Sequence, residues 1–198
     1  MEQQPPPLPE TGIAEGAGFG IRFLARLIDL IFGYMLGLLF GIIAGLVLAM
    51  LQAAGTINPG WQHRVRGLSA TGFGLSLLGV ILYHTATEGI YGASLGKLIC
   101  RLHVLTADGR PCNMARAFRR SLAYLWDSLF FGLVGYQSMQ KSPLNQRYGD
   151  AWAKTVVVRT ASVPAGAKRP LGWFFLGLFL GALCWGAMLV LALILKAK

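Results

Sequence analysis

Apolar and polar positions along this chain fall in long blocks rather than in a fine alternation, and the blocks predict membrane-spanning helices. The first runs from about Phe19 to Gln52. Its apolar stretch Leu27 to Leu51 would extend about 37 Å as a helix, against a hydrocarbon core of roughly 30 Å. A second span covers roughly Ser69 to Tyr91, and residues 171–195 form a clean third. Ser121 to Met139 is also apolar, but it is short, carries Asp127 and is broken by Gly132 and Gly135. Two patterns read as strands: Leu98 to Thr106, followed by the Ala107-Asp108-Gly109 turn, and the β-branched run Thr155 to Val158. Asn113 is placed as the N-cap of a helix bearing Arg116, Arg119 and Arg120. Residues 1–18 form a Pro- and Glu-rich tail, 19–158 the main membrane domain, 159–170 a basic linker and 171–195 a C-terminal transmembrane helix. Residues 53–68 read as a polar loop with an Asn58-Pro59-Gly60 turn and an interfacial Trp61.

The first block contains an exception to its own apolarity. Arg22, Ala25, Arg26 and Asp29 share one helical face, and Gly33, Gly37, Gly41 and Gly45 continue it as a slowly drifting stripe. A carboxylate in an apolar span costs roughly 3 kcal/mol on insertion scales unless it is paired or faces protein. This helix is therefore expected to be central and protein-facing, its glycines admitting close approach by another helix. Gly177 and Gly181 give the last span a second such face. In the second span Tyr83, His84, Thr87 and Glu88 group together, either as a surface-level polar end or as a polar site facing Asp29. Asp29 itself has two readings: a fixed ion pair with Arg26 or Lys97 that sets helix register, or a group that exchanges a proton or cation.

Composition agrees with the blocks: 55% hydrophobic and 13% charged residues place the chain in the membrane class. The net charge of +10 sits between the apolar runs, without aromatics interleaved for base stacking, so it argues for membrane topology and against nucleic acid. If residues 121–139 cross, the Lys and Arg residues divide ten to eight between the two sides; if that segment enters and returns, they divide fourteen to four. The positive-inside bias favours the second, as does the need for two short strands to share a side before they can pair. The expected fold is an all-α membrane protein with three transmembrane helices, a re-entrant or interfacial helical hairpin and a small cytoplasmic strand pairing. Its N-terminus is cytoplasmic and its location the cell (inner) membrane; a regular four-span topology is the alternative. No basic n-region precedes the first span, which is expected to be retained. Cys100, Cys112 and Cys184 suit neither a disulfide framework nor a zinc site, and no cofactor or metal is expected. Gly92 to Lys97 has the wrong spacing for a phosphate loop, Leu98 follows where Ser or Thr would be needed, and no other catalytic motif is present, so no enzyme is expected.

With these residues in place, the chain resembles the RDD family of membrane proteins, named for one arginine and two aspartates. Arg22, Ala25, Ile28 and Asp29 are similar to that family's opening RxxAxxID, and Glu88 to Lys97 (EGIYGASLGK) resembles its EG..GATLGK segment. His103-Val104-Leu105 with Asp108-Gly109 resembles the following hydrophobic-to-DG stretch, and Arg120 occupies the arginine position that opens the third apolar segment. Arg147-Tyr148-Gly149-Asp150, with Ala153, Thr155 and Val157, resembles the closing motif, although Tyr148-Gly149 stands where a histidine is frequent and Lys154 where a glycine is often found. The resemblance implies Arg22, Asp29 and Asp150 as signature residues, with Glu88 and Arg120 as further candidates. It implies ligand or ion transport, or alternatively an accessory role in a larger membrane assembly, with lipids, a homo-oligomer or a membrane complex as partners.

Overall fold

The computed structural model describes residues 15–57, 70–127 and 129–197. Most of the expected N-terminal tail, the Asn58-Pro59-Gly60 turn, Trp61 and the side chain of Asp127 lie outside the described residues. Three helices among those described are long and apolar enough to cross a membrane. They are α1 (Phe19–Ala53), α2 (Ala70–Ile90) and α7 (Leu171–Ala197). Between α2 and α7 come α3 (Leu95–Ile99), β1 (Leu102–Thr106), α4 (Met114–Asp127), α5 (Leu129–Gln140), α6 (Tyr148–Trp152) and β2 (Thr155–Arg159).

Glycine spacing sets how the spans pack. The α2 backbone at Ala86, Thr87 and Tyr83 closes over Gly177 and Gly181 of α7, while Trp185 of α7 covers Gly79 of α2. The partners run Thr87, Tyr83, Gly79 as α7 advances, so the two helices are antiparallel. Helix α1 joins them through Gly33, which lies against the Trp185 ring, and Phe40, which lies against Gly186. The expectation of one continuous packing stripe on α1 therefore holds only at its first glycine. An added Cβ at Gly37, Gly41 or Gly45 would meet nothing within 4 Å, Gly37 and Gly41 lining open space between α1, α2 and α7. Gly181→Leu is expected to force α2 and α7 apart at Tyr83, whose backbone lies 3.2 Å from an added Cβ, and to cost about 1–3 kcal/mol. Gly37→Leu should leave the melting temperature in detergent unchanged, and comparing the two melts checks the difference.

The start of α1, the end of α2 and the start of α7 lie at one end of the bundle. Arg169 joins two of them by donating to the carbonyls of Gly89 (3.1 Å) and Ile90, the last carbonyls of α2. The segment expected as a basic linker is thus folded: it contains two 3-10 turns, and Val163 and Ala167 are buried. At the same end, β1 and β2 pair antiparallel from Leu102↔Arg159 to Thr106↔Thr155. One side of the ribbon packs with Ala25, Leu102, Val104, Ala117 and Val157, the other with Leu105, Val156, Val158 and Val163. Burial on both faces explains why β1 lacks a clean alternation. Burial and the nearby Arg169 guanidinium push the His103 imidazole in β1 down to about 4, so it is neutral at pH 7.

Two expected boundaries move. Leu98 and Ile99 belong to α3, and the strand begins only at Leu102, after Arg101 turns the chain with φ +54°. Asn113 does cap α4, its side-chain oxygen accepting the Arg116 N–H at 3.0 Å. The apolar segment 121–139 is divided between α4 and α5, about 21 and 18 Å long, each shorter than the hydrocarbon core. β1 and β2 pair, so Thr106 and Thr155, which flank this segment, lie next to each other in one ribbon.

Candidate functional site

Asp29 lies on the buried stripe of α1 formed by Arg22, Ala25, Asp29 and Gly33. Its carboxylate meets the start of α3. Oδ2 accepts the Ser94 hydroxyl at 2.6 Å, and Oδ1 accepts the Gly96 N–H at 2.8 Å and, more weakly, the Tyr83 hydroxyl at 3.5 Å. The Tyr83 oxygen in turn accepts the Leu95 N–H at 3.3 Å. Ser94 is the N-cap residue of α3 but makes no cap bond of its own, so the capping acceptor comes from another helix. Asp29 faces orphan N–H groups and the positive end of a short helix, which stabilise a carboxylate. The sequence offered only the cations Arg26 and Lys97 as partners of Asp29, and the structure adds a hydroxyl and a backbone N–H. The close approach requires Gly96, since an added Cβ there would run into the Ala25 carbonyl.

A second group of charges lies beside it. Arg22 donates to Asp150 at 2.6 Å, and Arg120 reaches the other Asp150 oxygen at 3.1 Å. Arg120 also lies 3.3 Å from Glu88, which in turn pairs with Lys97 and lies 3.4 Å from His84. Arg26 meets His84 at its other ring nitrogen. Alternating charges therefore tie α1, α2, α3, α4 and α6 together. Burial pushes the Asp150 carboxyl up, but Arg120, Arg22 and Arg147 together outweigh it and hold the group below its ordinary value. Burial lowers the Lys97 ammonium, and the adjacent Glu88 carboxylate opposes that shift. Asp150 also accepts the Arg147 backbone N–H at 3.3 Å, closing the first turn of α6.

Two cavities flank these groups. One, of about 230 Å³, is lined by Arg22, Arg26, Lys97, Arg120, Arg147 and Glu88 together with apolar residues of α2. The other, of about 470 Å³, lies between α1, α2 and α7 and is lined by Asp29, Tyr83, His84, Ser76 and Trp185 among apolar neighbours. Arg26, Val80 and His84 line both. The Trp185 indole N–H is buried without an acceptor on the wall of the second.

The five residues singled out from the sequence, Arg22, Asp29, Glu88, Arg120 and Asp150, converge at this end of the bundle, on two neighbouring sites rather than one. Asp29 belongs to the α3 cap; the other four form the ion network. Of the polar group on α2, Tyr83 and His84 turn toward the Asp29 cavity, whereas Glu88 turns toward Lys97 and Arg120. Sequence reasoning missed Ser94 and Gly96 as the partners of Asp29, though Ser94 before a short helix and a glycine two residues later were the available signal. Trp185 carried no signal at all. It reads as an interior aromatic of an apolar span.

The RDD family model matches residues 16–154, a range that contains every residue lining the two cavities except Val157, Trp185 and Leu189. No curated protein and no solved structure matches the chain.

Proposed function

The chain belongs to the RDD family, and on that premise we propose that it is an ion-handling membrane protein in which Asp29 is the exchanging group. The observation that carries this reading is a carboxylate opening onto a 470 Å³ cavity between three apolar helices. That cavity also presents Tyr83, His84 and the unpartnered Trp185 N–H, and it adjoins the basic cavity through Arg26 and His84. Ser94, Gly96 and Tyr83 stabilise the carboxylate as an anion. A proton or cation arriving from the cavity competes with those donors, and its departure restores the cap. The fourteen Lys and Arg residues in or beside the segments at this end of the bundle favour a cytoplasmic side for it, in the cell (inner) membrane.

Reconstituted vesicles test the reading. Wild-type protein is expected to move protons or monovalent cations across the bilayer faster than empty vesicles, and Asp29→Asn to reduce that flux at least tenfold while keeping the fold. A wild-type rate equal to that of empty vesicles would remove the transport role. A second reading, an accessory subunit of a larger membrane complex, is favoured by the uncovered glycines Gly37, Gly41 and Gly45 of α1, two of which line grooves between the spans. It predicts that Gly37→Leu with Gly41→Leu lowers partner recovery in a native-membrane pull-down; undiminished recovery counts against it.

A further inference from the structure

We infer that the basic cavity beside the Arg22–Asp150 pair is a binding site for a phosphate-bearing anion. Five cationic side chains line it: Arg22, Arg26, Lys97, Arg120 and Arg147. Glu88 on the wall and Asp150 behind Arg22 and Arg120 oppose them, and Asp29 acts on Lys97 from the neighbouring cavity, so five cations face three carboxylates. The excess of positive charge is held in a space of about 230 Å³, large enough for a phosphate group with part of its ester chain. Concentrating like charges in a semi-buried space is unfavourable unless a counter-charge enters it.

A second observation concerns Arg22, which lines the same space. The Arg22 side chain is 3% exposed; one of its terminal nitrogens is used by Asp150, yet its Nε–H has no acceptor. A buried guanidinium N–H left without a partner is unfavourable, because its lost hydration is not replaced. An anion in the cavity supplies the acceptor, and guanidinium forks suit phosphate oxygens.

The remaining wall decides what kind of molecule carries the phosphate. Leu77, Val80 and Ile81 of α2 complete the cavity on the side toward the spans. A cationic floor with an apolar wall at the end of a membrane helix matches an anionic phospholipid, phosphate inward and acyl chains along α2. A soluble phosphate would use the floor and leave the wall idle. The site does not depend on Asp29 conducting ions, since Asp29 does not line it.

The test uses the full chain in phosphatidylcholine nanodiscs and in mild detergent. In one arm, native mass spectrometry follows retention of phosphatidic acid against phosphatidylcholine; in the other, calorimetry follows inorganic phosphate against chloride. At least a tenfold preference for phosphatidic acid is expected, falling tenfold or more in Arg147→Gln. Val80→Phe, which fills the cavity while leaving every charge in place, should produce a similar loss even if Arg147→Gln folds poorly. Saturable binding of inorganic phosphate, lost in the same variants, would support the site and assign it to a soluble anion. Neither probe preferred over its control, or a lipid preference unchanged in Val80→Phe, would overturn the inference.

Discussion

Asp150→Ala is expected to lower the stability of the purified protein by about 3–5 kcal/mol, through loss of an acceptor rather than loss of packing. Asp150 and Arg22 are each 3% exposed at the side chain, and Arg120 is 10% exposed. Removing the carboxylate leaves two guanidinium groups facing each other where water does not screen them. Thermal unfolding in detergent should fall by on the order of 10 °C. Truncating Arg22 as well removes one of the stranded charges, so Arg22→Ala with Asp150→Ala should cost clearly less than the sum of the two single changes. Additive losses would mean that the pair does not act as a unit. The pH dependence has a definite sign. The folded Asp150 carboxyl lies below its ordinary value of 3.8, so its contribution is complete above that value and is lost as pH falls through the native one. Wild type and Asp150→Asn should therefore differ by a constant amount between pH 5 and 8 and begin to converge only as pH falls below 3.8.

Gly96→Val is expected to abolish accumulation of folded protein. An added Cβ would overlap the Ala25 carbonyl oxygen and lie 3.0 Å from the Asp29 carboxyl carbon, so the obstacle is backbone rather than a side chain that could swing aside. Relief requires α3 to move away from α1, which breaks the 2.8 Å bond from the Gly96 N–H and loosens the one from Ser94. Overpacking of this kind costs about 1–3 kcal/mol before the lost bonds are counted, and a carboxylate stripped of donors in an apolar span adds to it. Gly37→Val, on the same helix as Asp29 but with open space around it, is the matched control and should express at the wild-type level. Equal yields for the two variants would show that α3 is not anchored on Asp29.

The spans and the composition of the sites were legible in the sequence for separate reasons. A length of apolar chain is a local property, so α1, α2 and α7 follow from hydropathy with boundaries within a residue or two. A charge in such a run is conspicuous because water would have to be replaced by protein contacts, and that singled out Asp29 and Glu88. The partners of those charges were harder to read. Glu88 could be placed beside His84 from helical spacing, but Lys97 and Arg120 reach it from other elements. Asp29 was expected to find a cation, because opposite charge is what sequence displays. Backbone N–H groups belong to every residue and carry no mark in the sequence.

Residue order alone determined that this chain carries three helices long and apolar enough to cross a membrane, that its cationic residues sit between the apolar runs, and that Asp29 is an anomaly requiring a partner. Tertiary structure decided who those partners are: the open turn of α3 for Asp29, and two arginines from distant segments for Asp150. It also decided which glycines carry packing, since Gly33, Gly177 and Gly181 are covered while Gly37, Gly41 and Gly45 are not. The physical reason is the same in each case. Hydrophobic transfer free energy sums over a local stretch of chain, whereas hydrogen bonds and steric contact depend on where two distant stretches meet.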